Sequence, residues 1–138
     1  MSRALKGDFM IAVDTNILVP FLTGDDKKQF KKALTLFESH DIFIPDTVIL
    51  ESEWVLRYAY NFTPDAICRA FTKLFGLPNV HLTNPILISQ ALQWHEQGLD
   101  FADAMHLALS QQCKQFYTFD TKFARQAKGL CKSTVLKP

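Results

Sequence analysis

Apolar and polar positions follow two rhythms along this chain, and the changes of rhythm mark the elements. "FMIAVD" (9–14) is an apolar run closed by an acid, the pattern of a strand covered on both faces. "NILVPFL" reads as a short helix. "DDKKQFKKALTLFESH" reads as a longer one, because Phe30, Ala33, Leu34 and Phe37 recur at i, i+3, i+4 and i+7, with Lys27, Lys28, Lys31 and Lys32 on the outer face. "IFIP" (42–45) is a second buried strand, and Asp46 stands as N-cap of a helix from about Thr47 to Tyr60. "TPDAICRAFTKLFG" opens on a Thr cap with Pro at the first helical position, and Gly76 stops its stripe of Ile67, Ala70, Phe71, Leu74 and Phe75.

"NVHLT" (79–83) predicts a third strand, 85–97 a helix ending near Gly98, and 100–113 a further helix. "FYTF" (116–119) predicts a fourth strand, 121–128 a short helix, and "STVLK" an edge strand. This alternation predicts an α/β fold, a three-layer sandwich with a mainly parallel central sheet flanked by helices, because parallel strands need crossover helices. In such sheets function gathers beyond the carboxyl ends of the strands.

Length and composition narrow this picture. With 138 residues, 48% of them hydrophobic, and no low-complexity tract or repeat, the chain fits a single domain over 1–138. Fifteen Lys and Arg nearly balance fourteen Asp and Glu, so total charge gives no case for a polyanion partner. The distribution is uneven: from Lys114 onward Lys114, Lys122, Arg125, Lys128, Lys132 and Lys137 face one acid, Asp120. Cys68, Cys113 and Cys131 are odd in number and lack C-x-x-C spacing, which predicts reduced thiols rather than a disulfide framework or zinc knuckle. No apolar run is long enough to span a bilayer and "MSRALKGD" is not a secretory signal, so the expectation is a soluble cytoplasmic protein with no membrane partner.

The acids change the picture most. Asp14 ends the first expected strand and Asp120 the fourth, while Glu51 and Asp103 lie in early turns of helices entering from the carboxyl-end side, so four acids are expected on one rim. Each has an ordinary alternative: Asp14 and Asp120 as caps of the helices that follow, and Asp100 as the cap of the helix that carries Asp103. Glu51 falls on a helical wheel among Val48, Trp54, Val55 and Tyr58, inside an apolar stripe, whereas Glu53 points elsewhere. A buried carboxylate needs a compensating cation. Two unit charges about 4 Å apart repel by roughly 4 kcal/mol at an effective dielectric of 20, so clustered acids demand protons or a metal. An all-oxygen donor set favours Mg²⁺ or Mn²⁺, which suits phosphoryl chemistry. His40, His81, His95 and His106 match no ligand spacing, and no P-loop, dinucleotide or nucleophile-elbow motif occurs.

"IAVDTNILV", "LESEWVLR", "DFADAMHLA" and "YTFDTKFA" occur in the order and approximate spacing of PIN-domain ribonucleases, and the chain most resembles VapC-type toxins of bacterial toxin–antitoxin pairs. The resemblance covers about residues 9–136. It implies that Asp14, Glu51, Asp103 and Asp120 are a metal-binding catalytic quartet for Mg²⁺ or Mn²⁺. It also implies auxiliary roles for Thr15 and Asn16 of the "DTN" signature, for Asp100, and for Thr118 two positions before the last acid. The implied activity is endoribonuclease cleavage of structured RNA such as tRNA, with Lys122 and Arg125 as candidate RNA-binding cations. The implied partners are RNA, a cognate antitoxin and a second copy in a homodimer. Two other classes stay open at this point: a non-catalytic module whose acidic groove receives a basic partner, and a receiver-type phosphoacceptor domain, for which "IFIP" offers no acceptor Asp.

Overall fold

The computed structural model describes residues 9–138, in two compact units, the first ending at Pro85 and the second comprising Ile86–Pro138. The first unit holds a parallel three-stranded sheet in the order β1 (Met10–Ala12), β2 (Asp41–Phe43), β3 (Val80–His81). Ile42 is paired with both Ile11 and Val80, which puts β2 in the centre. Parallel neighbours cannot be joined by a tight turn, and each connection here runs through two helices. α1 (Thr15–Thr23) and α2 (Lys27–Ser39) join β1 to β2, and α3 (Asp46–Tyr60) and α4 (Pro64–Phe75) join β2 to β3. In the second unit, α5 (Pro85–Glu96) and α6 (Phe101–Ala108) precede β4 (Gln115–Tyr117), and α7 (Thr121–Gln126) links it to a parallel β5 (Thr134–Leu136). Every strand pair is parallel, so the α/β expectation holds. Among the described residues no helix is long and apolar enough to cross a membrane.

Local chemistry explains where the elements begin and end. Asp26 caps α2 by accepting from the amides of Lys28 and Gln29, and Thr63 caps α4 ahead of Pro64. Gly24 ends α1 at φ +64°, a left-handed conformation that glycine adopts without a Cβ penalty. α1 tolerates Pro20 in its interior at the loss of one amide donor, and next to it Phe21 stacks on Phe37 of α2 with centroids 3.9 Å apart. Buried Asn79 closes the C-terminal end of α2 by donating to the carbonyls of Phe37 and His40 at 2.5 and 2.9 Å. The first core gathers Leu18, Ile42, Ile44, Ile49, Leu56, Ile67 and Phe71, and the second Ile88, Ala91, Phe101, Ala104, Leu107 and Phe123.

Four expectations are corrected. β1 is not covered on both faces: it is the edge of its sheet, with Met10 and Ala12 exposed and only Val13 beyond it buried. Asp46 is not the N-cap of α3. Pro45 takes that place in extended geometry, its carbonyl accepting from Val48 and Ile49, and Asp46 becomes the first helical residue. The helix expected over 100–113 stops at Ala108, because the Gln111 side-chain amide takes the Leu107 carbonyl at 2.7 Å while the following backbone tightens into turns.

The fourth correction concerns α3. Its buried stripe is Ile49, Ser52, Glu53 and Leu56, whereas Glu51, Trp54 and Tyr58 are exposed. The expected assignments of Glu51 and Glu53 are therefore exchanged, because the apolar bulk of Trp and Tyr marks the outer face and a serine and a glutamate sit on the inner one. Burial of Glu53, 1% exposed, is offset by a two-pronged bond from Arg57, Nε to Oε2 at 2.7 Å and Nη2 to Oε1 at 3.2 Å. The carboxylate in turn raises the Arg57 pKa. Arg57→Ala removes the cation from a buried charge and is expected to destabilise by about 3 kcal/mol, whereas Glu53→Gln leaves a part-exposed guanidinium that water can reach and should cost about 1 kcal/mol. Urea denaturation of the two variants checks this order.

Candidate active site

The first unit supplies two of the expected acids. Asp14 lies two residues beyond β1, in extended geometry, and caps α1 by accepting from the Asn16 amide at 3.0 Å through Oδ1. The capping alternative therefore holds for Asp14, but it engages one carboxylate oxygen of two. Thr15 follows, buried at the start of α1, and its hydroxyl donates to Oε1 of Glu51 on the second turn of α3. That bond fixes the exposed Glu51 carboxylate against the start of α1, beside Asp14 in sequence. Asn16 is exposed and contributes its amide to the Asp14 cap.

The second unit supplies the other two. The turn between α5 and α6 is set by Gly98 at φ +116°, by the Leu99 amide bonded to the Trp94 carbonyl at 3.0 Å, and by His95 Nδ1 donating to the Leu99 carbonyl at 2.8 Å. It delivers Asp100 as the cap of α6, its Oδ2 accepting from the Asp103 amide at 3.2 Å. Asp103 follows in the first turn, half-buried. Asp120 caps α7 by accepting from the Phe123 amide at 3.0 Å, and its own amide donates to the Thr118 hydroxyl at 3.0 Å.

Electrostatics sets Asp103 apart. Burial raises its pKa above the ordinary carboxylate value, the charges of Asp100 and Asp120 raise it further, and His106, one turn along the helix, opposes them. Asp100, Asp103 and Asp120 therefore share one electrostatic neighbourhood. Within neither unit do three acids, histidines or cysteines among the described residues close on one ion-sized point.

Two residues hold positions that the sequence reading did not give them. Asp46 follows β2, as Asp14 follows the neighbouring β1, and its Oδ1 is buried with no hydrogen-bond partner among the described residues. The only sequence signal is an acid after a buried strand, which capping explains equally well. Lys137 reaches back from the end of β5 to donate to the Thr121 hydroxyl at 2.9 Å, next to the Asp120 cap. Lys122 and Arg125 are exposed on α7.

Three comparisons bear on identity. Residues 11–129 match the family described as PIN domain. No curated protein sequence matches the chain. Among solved structures, the crystal structure of the Mycobacterium tuberculosis toxin VapC20, described as cleaving the Sarcin-Ricin loop, is similar at 19% identity and a TM-score of 0.41, over 91% of this chain and 99% of that one. The family match takes in both units and nearly the whole described sequence: the chain belongs to the PIN-domain family.

Proposed function

We propose that the chain is a Mg²⁺- or Mn²⁺-dependent endoribonuclease, the toxin of a type II toxin–antitoxin pair, acting as one domain over residues 1–138 on structured RNA such as tRNA. The observation that carries this reading is that the family match over 11–129 contains Asp14, Glu51, Asp103 and Asp120, each at the start or in an early turn of a helix. The donor chemistry fits a hard cation, since all four groups are carboxylates and the raised pKa of Asp103 marks a charge that a cation would relieve. When bound, such an ion supplies a polarised water and neutralises charge building on the phosphate.

The chain's own residues do the positioning. The caps of α1 and α7 hold the Asp14 and Asp120 carboxylates at fixed helix starts, and Thr15 orients Glu51 by donating to it. Asp100 holds the backbone of Asp103, and Thr118 the backbone of Asp120. Lys122 and Arg125 hold the RNA backbone from the exposed side of α7. A cognate antitoxin would silence the site by presenting basic side chains to the same carboxylates, and a second copy completes a homodimer in the cytoplasm.

The purified protein is expected to cut total RNA with Mg²⁺ or Mn²⁺ and to stop with EDTA. Asp14→Asn, which keeps a capping side chain, should lose roughly 10²-fold or more in rate, the scale of removing one electrostatic group from a reacting centre. Full metal-dependent cleavage by that variant would end the reading.

A stability measurement tests Asp103 separately. Because its native pKa is raised, the native state holds a proton that the unfolded chain has already released, so this group's contribution falls as pH rises through that window. In EDTA at neutral pH, Asp103→Asn should therefore melt a few degrees above wild type. The advantage should vanish as pH drops below the Asp103 range and the wild-type carboxyl is protonated too. Differential scanning calorimetry against pH reads both.

A further inference from the structure

In the second unit β4 and β5 run parallel in a register that pairs Phe116 with Val135 and Tyr117 with Leu136, and the Thr118 amide extends the ladder by donating to the Leu136 carbonyl at 2.9 Å. Lys137 is therefore the first residue beyond the pairing on β5, level with the Thr118–Asp120 segment that leaves β4. Side chains alternate along a strand, so Val135 and Lys137 share a face with Phe116. Phe116 meets Phe123 of α7 edge to face, with ring centroids 5.6 Å apart, so α7 covers that face. Lys137 follows it to α7 and donates from Nζ to the Thr121 hydroxyl at 2.9 Å, one residue after Asp120. Strand end and helix start thus bring the same ammonium toward the candidate acid. The bond uses one of three ammonium protons. Among the described residues the ion pairs are Arg57–Glu53, Arg69–Asp65 and His81–Asp41, so no carboxylate neutralises Lys137. An exposed bond of this kind contributes little to folding, because water competes for both groups and the lysine gives up rotamer freedom to make it. Its effect is to hold a charge still.

We propose that Lys137 is a phosphate anchor: its ammonium holds a non-bridging oxygen of the RNA phosphate that is brought to Asp120. The assignment rests on the endoribonuclease reading of Asp120. A phosphate entering the shared field of Asp100, Asp103 and Asp120 is repelled by each, and a cation fixed beside them offsets that repulsion. Lysine suits the task because it is a compact point charge, and the two protons that Thr121 leaves over reach a phosphate oxygen without a two-pronged geometry. Lys122 and Arg125 differ in kind. They are exposed on α7 with no hydrogen bond among the described residues to fix them, so they serve any phosphate along the strand, whereas Lys137 is tied to the residue after the acid and reads one.

The test first maps the phosphate that wild type cuts in an oligoribonucleotide with Mg²⁺ or Mn²⁺, then measures binding of the same strand in EDTA across a range of salt. Lys137→Met is expected to bind roughly tenfold more weakly, with the slope of log affinity against log salt smaller by about 0.7, the value of one contact to a single strand. Lys137→Arg should keep both. Thr121→Val releases the ammonium but leaves its charge, so its slope should match wild type. A neutral methylphosphonate at the cut position should weaken binding by wild type and not by Lys137→Met, while the same change several nucleotides away should weaken both alike, a selectivity that loss of structure would not produce. An unchanged slope in Lys137→Met overturns the anchor. So does an equal loss of slope in Thr121→Val, which would make the bond a tie between β5 and α7, or methylphosphonate sensitivity that is lost only at distant positions. A wild type that binds RNA with a Lys137-dependent slope and never cuts it would keep the phosphate contact and sink the nuclease reading, whereas metal-dependent cleavage by a Lys137→Met protein with wild-type slope and KM would do the reverse.

Discussion

Carboxylates placed close together resist being ionised together, and the candidate site is organised around that constraint. In the second unit Asp103 is partly withdrawn from water and lies in the fields of Asp100 and Asp120, so its charged form is disfavoured. The fold softens the conflict with backbone dipoles: Asp100 and Asp120 each accept an amide at a helix start, where the peptide units present partial positive charge. Asp103 takes part in this capping through its backbone, whose amide donates to Asp100. What is left over is a negative charge on Asp103 that works against folding. An arrangement kept against its own electrostatics suits a site whose missing charge arrives with a ligand.

Helix α3 solves the same problem in two ways at once. On its inner face a carboxylate is buried beside Ile49, Ser52 and Leu56 in the helix's inward stripe and neutralised by an arginine one turn on, whose guanidinium reaches toward water. On its outer face a second carboxylate, two residues earlier, is left in water and steadied by a single hydroxyl from α1. The inner pair makes the helix a rigid part of the core, and the outer acid inherits that rigidity without being enclosed. One element thus separates the charge that holds the fold from the charge available for chemistry.

Hydrophobic rhythm made the α/β alternation legible, because long stripes such as Ile67, Phe71 and Leu74 admit only a helix, and Thr63-Pro64 and Gly76 mark its ends. Boundaries set by a side chain competing for a backbone carbonyl were not legible, as at Gln111, nor was the cap taken by Pro45 ahead of Asp46. On α3 the rhythm misled, because tryptophan and tyrosine count as apolar in a pattern while their polar ends let them stand at the surface. The caps at Asp14, Asp100 and Asp120 could be anticipated from an acid placed just before a helix. The Thr15–Glu51 bond could not, because 36 residues of sequence separate donor from acceptor and nothing local links them.

Asp14, Asp100 and Asp120 each begin a helix as well as lining the candidate chemistry, and this double duty channels how such a protein can decay over evolutionary time. Asparagine, serine and threonine also start helices well, so a lineage freed from selection for cleavage has a short mutational path that keeps the scaffold intact. Descendants altered at those three positions alone would keep their helix starts and fold. Intact but disarmed scaffolds are therefore an accessible outcome for this architecture, and they would be recognisable by polar uncharged residues at the helix starts.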